Sequence, residues 1–155
     1  MFMKRIIMTT SFIYENSSLL LAMKKRGFGE GRWNGYGGKV KPGETIEETA
    51  IRETDEEIGL KVRELEKRGV IDFIFEDRPN EILEVHFFRV KNYSGEPIET
   101  EEMRPQWFHV DNIPLDKMWP DDKYWLPLFM GGKKFKGKFI FEGQDKILDY
   151  KLELI

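Results

Sequence analysis

The chain has 155 residues, 40% of them hydrophobic and 14% aromatic, which is enough for one folded domain with a single substantial core and too apolar for a disordered segment. Its formal net charge of −3 provides no basic surface for polymeric nucleic acid, and a phosphate-bearing partner would need local features or a metal. The absence of cysteine excludes disulfides and thiolate metal centres, and no apolar stretch reaches transmembrane length.

Residues 1–14 are basic at Lys4 and Arg5, and Thr9, Thr10 and Ser11 interrupt their apolar run without a cleavage pattern after them. A soluble, cytoplasmic protein is the expectation. Residues 5–13 and 18–23 read as two strands joined by a turn at Glu15-Asn16-Ser17. A glycine-rich stretch then runs from Gly27 to Gly38, followed by a turn at Pro42-Gly43.

The clearest helix signal begins at Thr45, where Thr45 and Glu48 fit a capping box. The helix should run to Ile58 and stop at Gly59, a natural left-handed terminator. Ile51, Thr54 and Ile58 are spaced to form its packing face. Residues 69–76 and 82–91 read as strands, broken at Pro79-Asn80, and residues 107–110 as a shorter one. A second helix is predicted from Asp121 to Met130, then a hairpin of residues 134–142 and 146–153 around Gly143-Gln144-Asp145. Mixed strands with two helices predict one layered α/β domain spanning 1–155.

On the first helix Glu53, Glu56 and Glu57 stand at i, i+3 and i+4, so their carboxylates share one side. Ile46, Thr49 and Ala50 extend that side, so it is not wholly solvent-facing. A hard divalent cation would remove the mutual repulsion, because Mg²⁺ takes oxygen ligands and phosphate oxygens. A solvated acidic face is the plainer reading of the helix taken alone.

The joint spacing decides between them. Gly38, Glu44 and Arg52-Glu53-Thr54-Asp55-Glu56-Glu57-Ile58-Gly59-Leu60 resemble the Nudix box, meeting eight of its nine specified positions. Thr54 is the departure, standing where the pattern has an aliphatic residue, and a small stability effect is expected from it. The likeness extends to Met23–Gly29, Gly31–Val40, Glu102–Pro105, Met118–Asp122 and Gly143–Tyr150, which resemble the animal MutT-homologue branch of oxidised purine nucleoside triphosphatases.

That resemblance implies a Nudix α/β/α sandwich with a mixed β-sheet, and release of a nucleoside monophosphate and pyrophosphate from 8-oxo-dGTP or 2-hydroxy-dATP. It implies Mg²⁺, with Mn²⁺ as a substitute, held by the backbone of Gly37 and Gly38 and by Glu53, Glu56, Glu57 and Glu102. Glu57, Glu53 and Glu102 are the implied catalytic carboxylates, with Glu57 or Glu102 as the base. Substrate contacts are implied at Thr9, Lys24, Phe28, Asn34, Tyr36, Gly37, Gly38, Lys39, Phe73, Phe75, Trp119, Pro120, Asp121 and Asp122. Asp121 and Asp122, adjacent in an aromatic pocket, should not both ionise, and moving their shared proton would exchange donor for acceptor.

Each of these has a structural rival: Trp119 as core, Asp121-Asp122 as a helix cap and first-turn acid, and Asn34 as a turn residue. His86 and His109 match no ligand motif. Leu83 stands where the resembled pocket has methionine, and the loop 76–80 is one residue longer, so the pocket wall is where the base preference can differ. The alternatives are a Nudix hydrolase of dinucleoside polyphosphates or capped RNA, and a non-catalytic nucleotide-binding domain. A monomer with a small-molecule nucleotide substrate, and without membrane or stable nucleic-acid partners, is expected.

Overall fold

The computed structural model describes residues 3–155. Strands β1 (Lys4–Glu15) and β2 (Ser18–Lys24) form a hairpin whose two-residue turn, Asn16-Ser17, has positive φ at both positions. That mirror-image turn matches the twist of antiparallel strands, and Asn tolerates it better than most residues. A two-residue strand β3 (Trp33–Asn34), hidden in the glycine-rich stretch, pairs with β2. Helix α1 (Ile46–Ile58) follows, then β4 (Lys61–Phe75), β5 (Glu81–Ser94), β6 (Met103–His109), helix α2 (Asp122–Met130), β7 (Phe135–Glu142) and β8 (Lys146–Leu154).

The strands form a mixed sheet in the order β3-β2-β1-β5-β4-β7-β8, with β6 also paired to β2. The β1/β5 and β4/β7 pairs are parallel and the other named pairs antiparallel. Each face carries a core. On one, Phe12, Ile71, Phe73, Phe87, Phe135 and Phe139 pack with Trp125, Leu126 and Phe129 of α2. On the other, Ile13, Leu20, Tyr36, Leu60 and Val90 pack with Ile58 of α1. One helix on each face gives the expected α/β/α layering.

Both ends of α1 follow from its sequence. Thr45 Oγ1 accepts from the Glu48 amide at 3.1 Å and Glu48 Oε1 from the Thr45 amide at 3.1 Å. Gly59 adopts the left-handed conformation (φ 74°) and donates to Asp55 O. A side chain there would also meet Ile98, its Cβ lying 2.6 Å from Cγ1.

Several boundaries differ from expectation. Ile51 is exposed, and the buried face of α1 is Thr49, Ala50, Thr54, Glu57 and Ile58. Thr54 satisfies its hydroxyl by donating to Ala50 O at 2.7 Å, so the departure from an aliphatic residue leaves no buried donor unpaired. Strand β4 begins at Lys61, through a charged half interrupted by bulges near Glu64 and Arg68. Strand β6 begins at Met103, and Val110 belongs to a 3₁₀ turn instead.

Candidate active site

The sheet face under α2 supplies the floor of a cavity of about 170 Å³. Alternation along three neighbouring strands brings Met8, Thr10 and Phe12 of β1, Leu83, Val85 and Phe87 of β5, and Phe73 and Phe75 of β4 to the same side. Trp119, Asp121, Asp122 and Trp125 form the wall at α2, Asn34 lines the cavity from β3, and Lys24, Gly37 and Glu57 line it on the side toward α1.

At the mouth the rings form a slot. Trp119 lies 5.0 Å from Phe28 and 6.1 Å from Phe75, and Phe28 meets Phe75 edge-on at 5.5 Å. Phe28 is 47% exposed, so part of its ring surface remains open to a flat ligand. Trp119 is only partly buried and faces the cavity, which sets the core reading aside.

Asp121 and Asp122 are both buried. Asp121 has helical dihedrals (φ −76°, ψ −22°) and makes no side-chain capping bond; its Oδ2 accepts from Trp125 Nε1 at 2.6 Å. Asp121 thus holds the N-cap position and Asp122 the first turn of α2, but the Asp121 side chain is turned to Trp125 and does not cap the helix. Burial pushes the Asp121 carboxyl up to about 6, against the pull of the Trp125 indole. Burial and then the charge of Asp121 push Asp122 well above the carboxylate range. Both carboxyls are thus pushed toward the protonated form, and two adjacent buried carboxyls disfavour being ionised together. Burying an ionised carboxylate costs several kcal/mol. The adjacent burial of Trp125, Leu126 and Phe129, each worth about 1.5–3 kcal/mol, holds α2 in place against that cost.

At the other end, Glu57 is the glutamate that lines the cavity. Its Oε1 accepts from the Gly37 amide at 2.7 Å, and burial lifts its carboxyl to about 7, opposed by that amide and by Lys24. Glu53 is also raised by burial, opposed by Arg52. Arg52 gathers this side of α1. Its guanidinium donates to Glu44 at 2.7 and 2.9 Å, to Glu53 at 2.7 Å and to Glu56 at 3.2 Å. Glu44, held well below the carboxylate range first by Arg52 and then by Thr49, ties the preceding loop to the helix. Glu102 is partly buried and pairs with Arg26 at 2.6 Å, which lowers its carboxyl.

Among the described residues no three carboxylates or histidines already converge on one point. Arg52 holds Glu53 and Glu56, the Gly37 amide holds Glu57, and Arg26 holds Glu102. The donor set nonetheless suits a hard cation. It is all oxygen, and Gly38 comes so close to Glu53 that an added Cβ would lie 2.7 Å from Cδ, leaving room there for a small ligand only.

Tyr36 corrects the expected set. Its side chain is fully buried in the α1-side core, with its hydroxyl accepting from the Ile13 amide at 2.7 Å and donating to Leu20 O at 3.2 Å. It is a core residue and offers no phosphate contact. Lys39 is exposed outside the cavity and Pro120 is partly buried beside Trp119 without lining it. Asn34 donates Nδ2 to Arg32 O at 2.7 Å, which fixes its amide with the oxygen free. Thr9 lines the cavity, and its buried Oγ1 has no partner among the described residues. Thr10 was missed as a lining residue, although strict alternation from Met8 and Phe12 places it there. His86 is buried against Glu84 at 2.5 Å and His109 caps a 3₁₀ turn, both outside the cavity.

An acidic helix behind a close-approach glycine, set across a mixed sheet from an aromatic slot, defines a class, and residues 5–129 match the NUDIX domain. The chain belongs to the Nudix family. It is 54% identical to the oxidized purine nucleoside triphosphate hydrolase of Mus musculus, over 93% of this chain and 92% of that protein. It is 51% identical to the protein of the same name from Danio rerio, over 95% and 94% respectively. Among solved structures it resembles a MutT protein from Bacillus halodurans, with 26% identity, a TM-score of 0.82 and coverage of 96% and 97% of the two chains.

Proposed function

We propose that the chain is a nucleotide-pool sanitising hydrolase that converts oxidised purine nucleoside triphosphates, 8-oxo-dGTP and 2-hydroxy-dATP, to the monophosphate and pyrophosphate. One observation carries this reading: a single cavity is lined by aromatic rings, by the buried Asp121–Asp122 pair, whose carboxyls burial raises, and by the Glu57 carboxylate. Relatives more than half identical over nearly their whole length are named for that substrate class.

The cavity takes the purine against Trp119, with Phe28 beside that ring and with Asn34 and the aspartate pair reading the purine's edge. Asp121 offers an acceptor and protonated Asp122 a donor, and transfer of the proton reverses the two. One pocket can thereby accept two oxidised bases with different hydrogen-bond patterns.

Lys24 draws the phosphate chain toward Glu57. Nudix hydrolases generally require a divalent cation; here Mg²⁺, with Mn²⁺ as a substitute, would be held by Glu53, Glu56, Glu57, Glu102 and the backbone of Gly37 and Gly38. When bound, it neutralises charge developing on the phosphate oxygens as water attacks phosphorus. Glu57, the one glutamate on the cavity wall, positions and deprotonates that water; Glu102 stands outside, paired with Arg26. This geometry favours Glu57 over Glu102 as the base.

A hydrolysis screen over 8-oxo-dGTP, 2-hydroxy-dATP, dGTP, a dinucleoside polyphosphate and a capped RNA tests the reading. The two oxidised triphosphates should have the highest kcat/KM. A preference for the dinucleoside or capped substrate would replace it with the other hydrolase class, and no turnover of any substrate would leave a binding domain.

A further inference from the structure

The Gly143-Gln144-Asp145 turn between β7 and β8 lies outside the cavity, yet it reaches the base slot through one side chain. Arg32 donates Nη1 to Gln144 O at 2.9 Å, and its Nη2 pairs with Asp145. The same guanidinium lies over the Trp119 ring, 4.3 Å from its centroid. Its side chain is 18% exposed, so the contact is largely shielded from solvent. Trp119 lines the cavity and Arg32 does not, so the guanidinium covers the ring face turned away from the substrate.

Trp119 needs such a brace. It sits in irregular chain between a 3₁₀ turn and α2, so no strand or helix ladder fixes it. On its indole edge Gly29 approaches so closely that an added Cβ would lie 3.2 Å from Nε1. Phe28, Phe75 and Phe141 contact it at centroid distances of 5.0–6.1 Å, all tilted or edge-on. Arg32 is the cation set over the ring itself.

We propose that Arg32 is a positioning residue of the purine slot, stacked behind Trp119 and held there by the β7–β8 turn. This rests on Trp119 stacking the purine as proposed above. An arginine suits the task because its planar fork can lie on a ring and bond two acceptors at its edge, which a lysine cannot. The charge also reaches deeper, since Arg32 pulls both Asp121 and Asp122 toward ionisation.

The test is the Kd of 8-oxo-dGMP, measured by calorimetry without added metal, for the wild type, Arg32→Met, Arg32→Lys, Asp145→Asn, Trp119→Ala and the Arg32→Met/Trp119→Ala double variant. Arg32→Met should weaken binding about five- to tenfold, the range of a shielded cation–π contact. Arg32→Lys should fall nearer to it than to the wild type. Asp145→Asn, at a position 90% exposed and therefore without risk to folding, should weaken binding at least about twofold. In the Trp119→Ala background, Arg32→Met should change Kd by less than about twofold, since its partner is gone. Effects that multiply in the double variant would overturn the inference. So would wild-type affinity in Arg32→Met alongside weakened Trp119→Ala, even with a lower Tm. If Arg32→Met does not fold, unchanged affinity in both Asp145→Asn and Arg32→Lys overturns it equally. Unchanged affinity in Trp119→Ala would instead remove the slot reading on which it stands.

Discussion

Trp125 Nε1 donates to Asp121 Oδ2 at 2.6 Å, so one oxygen of the aspartate pair is committed as an acceptor before any ligand arrives. The bond makes the pair unequal. It pulls Asp121 toward the ionised form, while burial and the charge of Asp121 raise Asp122, so the two carboxyls are not equivalent before a ligand binds.

Asp121→Asn should therefore alter the ranking of substrates. The amide oxygen can keep the Trp125 bond, but the amide nitrogen then presents a fixed donor where the carboxylate had an acceptor. Discrimination of about 1–3 kcal/mol between bases, the cost of leaving a partner unsatisfied in a dry pocket, should be lost or inverted. The readout is kcat/KM for 8-oxo-dGTP, 2-hydroxy-dATP and dGTP. A uniform drop across all three would show that Asp121 carries no proton-dependent selectivity.

The same pair predicts a sign for stability against pH. Both folded-state values lie above the unfolded carboxylate value, so the folded protein binds more protons. Stability from the pair is complete below the unfolded value near pH ~4, and is lost as pH rises through about 6 for Asp121 and higher still for Asp122. Asp122→Asn cannot ionise. Its Tm relative to the wild type should therefore climb between pH 5 and pH 8, in matched buffers. A difference that stays constant over that interval would contradict a protonated Asp122.

Gly37 and Gly38 make different demands. A Cβ at Gly37 would lie 1.9 Å from Thr9 O, which is backbone and cannot yield, so Gly37→Ala should lose at least ~2 kcal/mol in urea unfolding. At Gly38 the obstacle is the Glu53 carboxylate, 2.7 Å from the added Cβ and able to swing aside. Gly38→Ala should unfold with a smaller loss and show its effect in kcat and in the Mg²⁺ concentration needed for half-maximal rate. Equal unfolding losses in the two variants would show that Glu53 is as fixed as the backbone.

Much of this arrangement was legible because local signals and tertiary packing agree. Thr45, Glu48 and Gly59 delimit α1 whatever surrounds it, and Glu57 and Trp119 belong to segments whose spacing is distinctive. Where packing overrides pattern, the sequence misleads. Ile51 has the spacing of a core residue, but the sheet lies nearer Ala50 and Thr54. Tyr36 sits among glycines that approach the site, yet its own ring turns into the opposite core to bond the β1–β2 hairpin. The first half of β4 is charged because its bulged edge faces water, so no alternation announces it. Arg32 and Arg52 were invisible as organisers, since both act on acceptors that only the fold brings near.

Glu57→Gln preserves size and helix propensity and removes the charge at the cavity end. Its kcat at saturating Mg²⁺ should fall by at least ~10²-fold, about 2.7 kcal/mol of transition-state stabilisation, with circular dichroism unchanged. Turnover within a few fold of the wild type would remove Glu57 from the chemistry and leave Glu102, on the outer strand side, as the candidate base.

The most direct measurement is the identity of the products released from 8-oxo-dGTP in the presence of Mg²⁺, resolved by chromatography at early time points. Cleavage beside the Glu57 end of the cavity predicts 8-oxo-dGMP and pyrophosphate in equal amounts, with kcat/KM above that for dGTP. Orthophosphate and 8-oxo-dGDP as the first products, or a faster reaction with dGTP, would contradict it.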